Sequence, residues 1–437
     1  MIPVKVTDPI LYEEIKKLEQ ERRDRRRRQE AELRERQRRA GGDERIAIVE
    51  EIRDNITSMI SGGPITRDAI RYVDTLYTGD SDLSIFRGSP HVFIFRTMRI
   101  FIHDTHYTLQ IEGWPRSDIE DTALRGLQKV GEILFTEDAE ITNNTFTDCK
   151  VGRLIFEKEA KIGPNTFTYR DMDSSSIKEV EFRGDAKIGA NSFSNCSLET
   201  IAFDGKAEIA EFAFAYCFNV RLIEFGGELQ VLDSAFHSLG KTWPDGRIIF
   251  REKVAFFPRA FYDCGAAMIV FEKESMFPNR EIDGFGCFNH FPELKTLVFV
   301  GRTIIGPQSF KNCPKLKRVE FLSTSRNIVG ENSFISCTGL NSIIFNTMNI
   351  KKYAFSKCGF TDLIFKGDTY IREFAFTECK ELASITFEGR VSVFDNAFRG
   401  NKLFIGGVTY KSHHNIGRGA FHHVPIPSPH RRLKFRF

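Results

Sequence analysis

The stretch TIIGPQSFKNCPKLKRVEF (303–321) decides the fold, because it returns elsewhere in the chain. AKIGANSFSNCSLETIAF (186–203) and TYIREFAFTECKELASITF (369–387) share its frame. That frame is Ile-x-x-x-small-Phe-x-x-Cys-x-x-Leu-x-x-Ile-x-Phe. Self-similarity at a period of 20–50 residues is the signature of a stacked array, in which no unit buries its own apolar face.

Working outward, the first Phe slot recurs as Leu124, Phe146, Phe167, Phe193, Phe214, Phe236, Phe261, Phe288, Phe310, Phe334, Phe355, Phe376, Phe398 and Phe421. These are fourteen units spaced by 21 to 27 residues, with insertions such as Arg170–Ser176 and Gly240–Gly246 in the longest gaps. The residue before the slot is small in every unit, from Ala123 through Cys287 to Ala420. A small side chain there lets one coil's backbone approach the next. The slot also explains the composition: 42 Phe against 2 Trp and 10 Tyr means one position filled many times.

Eight of the nine Cys share a further slot: Cys149, Cys196, Cys217, Cys264, Cys313, Cys337, Cys358 and Cys379. Metal binding or disulfides between stacked coils is one reading. A buried ladder of small apolar thiols is the preferred one, since other units fill the slot with Leu127, Arg170 or Leu239. There is no Cys-x-x-Cys pair, which removes the common zinc and redox signatures.

Each unit closes on a short alternating segment, such as LIF (154–156), VEF (180–182) or IEF (223–225). Alternation at this length predicts a strand. Twelve such strands, from 133–135 to 385–387, are expected to form one parallel sheet over a core of Phe, Ile, Leu and Cys.

The pattern resembles the BspA-type leucine-rich repeat over about residues 117–425. The resemblance implies a β-rich leucine-rich-repeat solenoid of about 14 coils, and protein or surface recognition as its work. This chain carries a final Phe and a charged or Gly residue where that family usually has Leu-Pro. A different turn after the strand is therefore expected.

If the Ile and Phe of Ile-x-Phe point inward, the middle residue points out. Eight of these twelve middle residues are apolar, and a long exposed apolar stripe marks a contact surface. Ile155, Ile249, Val270, Val298, Ile344 and Ile364 are the candidate protein-binding residues. The competing reading is that β-branched residues merely suit strands and that Arg247, Arg251, Glu272 and Lys366 shield them.

Residues 1–42 read as a charged helix ended by Gly41-Gly42. Acidic residues stand four before basic ones from Glu13/Lys17 to Glu35/Arg39, the favourable order on a helix. Its arginine run, Arg22, Arg23, Arg25, Arg26, Arg27 and Arg28, is a candidate phosphate-binding or nuclear-address segment, against a solvated helix face. Residues 1–40 carry a net charge of +4 within a whole-chain total of +3. Any contact with nucleic acid is thus confined to residues 16–39. Residues 43–116 read as an α+β cap: helices over 44–60 and 65–77, then strands in HVFIFR (91–96), RIFIHD (99–104) and YTLQIEGW (107–114). Residues 426–437 form a C-terminal tail, with RRLKFRF (431–437) a candidate closing strand.

No phosphate-binding loop, dinucleotide fingerprint, Gly-x-Ser-x-Gly or His-Glu-x-x-His occurs, so no enzyme activity and no cofactor are expected. The late histidines, His413, His414, His422, His423 and His430, read as surface residues. No apolar run approaches a membrane span, and the first residues do not read as a secretory signal, so the expected location is intracellular. The expected function is a non-enzymatic protein-binding scaffold using the sheet face. The alternative is a structural component of a large assembly such as a virus particle, its arginine helix contacting protein or nucleic acid.

Overall fold

The computed structural model describes residues 91–421, apart from 95–97, 103–106, 112–123, 125, 129, 143–144, 147–148, 168–176, 241–244, 278–285 and 402–406. The stretches expected as a charged helix (1–42), as helices at 44–60 and 65–77 and as a tail (426–437) lie outside the described residues. The rest is a β-solenoid of about 12 turns. That is fewer than the fourteen units expected, because slots at both ends, Leu124 and Phe421, lack a full turn on their outer side among the described residues. The chain divides into two compact units, Met1–Ala186 and Lys187–Phe437.

Each turn holds two strands, not one. In the first unit the longer strands Val130–Phe135, Val151–Phe156 and Glu179–Phe182 pair in parallel as a main ladder. The short strands Ala139–Ile141 and Ala160–Ile162 pair as a second. The segments expected in the cap are present as His91–Ile94, Met98–Ile102 and Tyr107–Ile111. The first two pairings are antiparallel, and the third strand joins Val130–Phe135 in parallel.

In the second unit the main ladder runs from Thr200–Phe203 to Arg318–Phe321 in strict register, with Phe225, Phe250, Phe271, Phe299 and Phe321 aligned. A separate ladder follows, of Ser342–Phe345, Asp362–Phe365, Ser384–Phe387 and Gly407–Tyr410. At the junction the Asn346 side-chain amide donates to the Phe321 carbonyl at 2.8 Å. One turn later the equivalent carbonyl, that of Phe345, takes the backbone N–H of Lys366 at 2.7 Å. The second ladder passes the junction unbroken, Asn327–Val329 pairing Met348–Ile350. The single sheet expected from the sequence is therefore two walls, of which one is interrupted. The Ile that opens each repeat frame belongs to the second wall.

The slot phenylalanines stack between turns, with centroids 4.6 Å apart for Phe236 and Phe261 and 5.3 Å for Phe310 and Phe334. Each fully buried Phe contributes about 1.5–3 kcal/mol. The slot N–H bonds the small residue's carbonyl in the next turn: Phe193 to Ala213, Phe334 to Ala354 and Phe376 to Ala397, each at 2.8 Å. This close approach is why a larger residue is excluded before the slot.

Two ladders of left-handed residues flank the slot, two positions before it and two after. Asn191, Phe212, Tyr353 and Phe374 stand in the first, Asn195, Tyr216, Lys357 and Glu378 in the second, with φ between 54° and 62°. Asn tolerates this region better than bulky residues do, so stacking must hold Phe and Tyr there. Tyr353 and Phe374 do stack, at 5.1 Å. The turns after the main strands are packed just as closely. A Cβ on Gly389 would lie 2.5 Å from the Gly367 carbonyl carbon, so no side chain fits at that point of the turn.

Candidate functional site

Alternation along the main strands places the middle residues outward, as expected. Their exposure is another matter. In the first unit Ile155 is only 4% exposed. On the same face Arg153 reaches Glu132 at 3.3 Å and Glu181 at 2.9 Å, and Arg183 bonds Glu181 at 3.0 Å and Glu157 at 3.3 Å. Burial alone would raise the Glu181 carboxyl. Hydrogen bonds and charge from Arg183 and Arg153 outweigh it and hold the group below its ordinary value.

In the second unit Ile249, Val270 and Val298 are 2%, 2% and 0% exposed. Arg251 spans this face, bonding Glu272 at 2.9 Å and Glu224 at 3.3 Å. Arg318 bonds Glu320 at 2.6 Å. The aliphatic stems of such residues lie along apolar surface while their charged heads pair. Four of the six stripe residues, Ile155, Ile249, Val270 and Val298, are buried in this structure rather than displayed.

The other two differ. Ile344 and Ile364 are 49% and 37% exposed and stand opposite each other in adjacent strands. Their flanks are short: Ser342 and Asp362 are exposed on one side, and the Ser384 hydroxyl donates to Asp362. No long ion-paired side chain crosses this pair among the described contacts. The arginines at 22, 23 and 25–28 lie outside the described residues.

The nine Cys are free and buried. Their thiols act as donors: Cys337 to the Phe310 carbonyl, Cys358 to Phe334 and Cys379 to Phe355, each at 3.2 Å. In the turn where Asn401 holds the slot, its side-chain amide donates to Phe376 at 3.1 Å. Where a donor fills the slot, it therefore serves a core carbonyl, whereas Leu127 and Leu239 fill it as apolar core. Burial pushes Cys217 and Cys379 up to about 12, so they stay protonated and keep donating. Among the described residues no group of three or more His, Cys, Asp or Glu is placed to hold a metal ion. Nor is any described helix long and apolar enough to cross a membrane.

The outward row of the second ladder did not enter the sequence reading, because its strands are only two or three residues long. In the second unit it runs from Lys187 through Glu208 and Gln230, turns apolar at Ala255, Met276, Ile304 and Ile328, and returns to polar residues from Asn349 and Tyr370 to Ser392 and Asn415. The signal was present as the residue after the small one in each Ala-x-Ile or Thr-x-Ile.

Comparison with solved structures finds distant likenesses. A leucine-rich cell surface protein from Faecalibacterium prausnitzii is 15% identical, covering 78% of this chain and 99% of its own, at a TM-score of 0.23. A leucine-rich repeat protein from Eubacterium ventriosum is 13% identical, covering 80% and 99%, at 0.23. One from Bacteroides ovatus is 16% identical, covering 70% and 95%, at 0.22. No curated protein matches. The BspA type leucine-rich repeat region matches residues 114–221, 139–266 and 303–426, in 6 copies. With the repeat matched over more than half its length, the chain belongs to the BspA-type leucine-rich repeat family.

Proposed function

We propose that this chain is a non-enzymatic scaffold that binds a protein partner through the main-sheet face at Ser342–Phe345 and Asp362–Phe365. The observation that carries this reading is the exposed, side-by-side pair Ile344 and Ile364. Two branched apolar side chains left in water on paired strands contribute binding free energy when covered. The partner surface is apolar at its centre. Its rim would meet Asp362 on one side and Lys366 on the other, both exposed.

Affinity capture tests this with the full chain, an Ile344→Lys/Ile364→Lys variant and a version lacking residues 1–40. The expected result is a partner retained by the truncated chain and lost by the double variant, with thermal unfolding unchanged. Loss of every partner on truncation, or full retention by a folded double variant, would overturn the reading. The arginine run Arg22–Arg28 is a separate phosphate-binding proposal. It predicts that truncation alone abolishes any salt-sensitive retention of nucleic acid.

A further inference from the structure

The second ladder presents a different surface, independent of Ile344 and Ile364. We infer that its outward face is a two-fold interface with a second copy of this chain, centred between Met276 and Ile304. Met276 is 54% exposed, and Ala255, Ile304 and Ile328 continue its row in register. On the turns before and after this core the row carries amides, Gln230 and Asn349, and beyond them Glu208 and Tyr370. The row is therefore nearly symmetric in polarity about its middle, as an isologous contact requires.

A two-fold axis lying in the contact plane, along the strands, reverses the row. It sets Met276 against the partner's Ile304, Ala255 against the partner's Ile328, and Gln230 against the partner's Asn349. The flanking positions follow the same operation. Phe257, 44% exposed, meets the partner's Gly330, where no side chain stands in its way. Lys206 meets the partner's Asp368, and Glu274 meets the partner's Arg302. Lys253 and the partner's Arg326 are a like-charge pair at the edge of the contact, which weakens the dimer. Eight strands at about 4.8 Å make a row about 34 Å long. Three outward positions along each turn, one in the strand and one on either side of it, span about 14 Å, or about 480 Å² per copy, the size of a weak, concentration-dependent contact rather than the ~800 Å² of a standard interface.

The test is light scattering on the full chain with Met276→Arg, Ile304→Glu and their equimolar mixture, each checked for unchanged thermal unfolding. The wild type is expected to dimerise with increasing concentration. Each single variant should weaken dimerisation at least about tenfold. The mixture should recover it as a heterodimer, because Arg on one copy then meets Glu on the other. A wild type monomeric at every concentration overturns the inference. So does a dimer indifferent to both substitutions, or folded variants whose mixture stays monomeric. Capture of a partner at Ile344 and Ile364 is unaffected by Met276→Arg, so the two proposals fail separately.

Discussion

The main-sheet face of the second unit contains two regions built on one frame. From Leu222–Phe225 to Arg318–Phe321, the middle residues Ile249, Val270 and Val298 are at most 2% exposed. In Ser342–Phe345 and Asp362–Phe365 the equivalent Ile344 and Ile364 are 49% and 37% exposed. The inward residues are the same in kind, Ile223, Ile248 and Ile269 against Ile343 and Leu363, and all are buried. The frame thus sets which way a side chain points, while its long or short neighbours accompany whether it meets water. Arg251 with Glu224 and Glu272 marks the covered region. Ser342, Asp362 and Ser384 mark the bare one.

The largest expected effect tests the shared half of this contrast. Phe261→Ala and Phe355→Ala each remove a fully buried slot ring and should each cost about 3–5 kcal/mol in denaturant unfolding. A much smaller cost for Phe355→Ala would mean that the two regions differ in core as well as in face. The next substitution divides them. Ile249→Lys forces an amine into a buried site and should cost about 3 kcal/mol or more. Ile344→Lys should stay within about 0.5 kcal/mol. Equal losses would abolish the distinction.

Removing an ion-paired arginine sharpens it further. Arg251→Ala takes one charged partner from Glu224 and Glu272 and removes an aliphatic stem from this face, so about 1–3 kcal/mol should be lost. Lys366→Ala, on an exposed residue of the bare region, should change stability by no more than about 0.5 kcal/mol. The smallest effect is pH-dependent and belongs to the equally arginine-laced face of the first unit. The Glu181 carboxyl is held below its ordinary value when folded. Its stabilisation is therefore full above the unfolded-state pKa and is lost as pH falls through the folded one. Glu181→Gln should destabilise at neutral pH, and the gap from wild type should close in acid. A gap independent of pH would show that the pairing is not the cause.

Much of this was legible in the residues. The Phe slot and the small residue before it give the register, because stacking requires the same thing of every turn. The Cys slot was legible as core, but its donor role was not: only Asn401, bonding the same carbonyl position, reveals what the slot selects. The left-handed positions were illegible, since residues as different as Asn191, Phe374 and Lys357 occupy them. Backbone stacking imposes that conformation, and no residue type announces it. The covered state of Ile249 and its neighbours was equally hidden, because alternation reports direction and not what lies above. The second ladder escaped because strands this short carry too few residues to show a period.

The interruption beside Phe321 has a mechanical meaning. There one wall is joined by the Asn346 side chain, while the opposite wall keeps its full ladder of backbone bonds. Bending that opens the interrupted wall strains one amide; bending the other way compresses an intact sheet. The array is compliant at that level in one plane and stiff in the other. The exposed isoleucines begin on the next strand of that wall, so the proposed docking surface sits beside the joint about which the array yields.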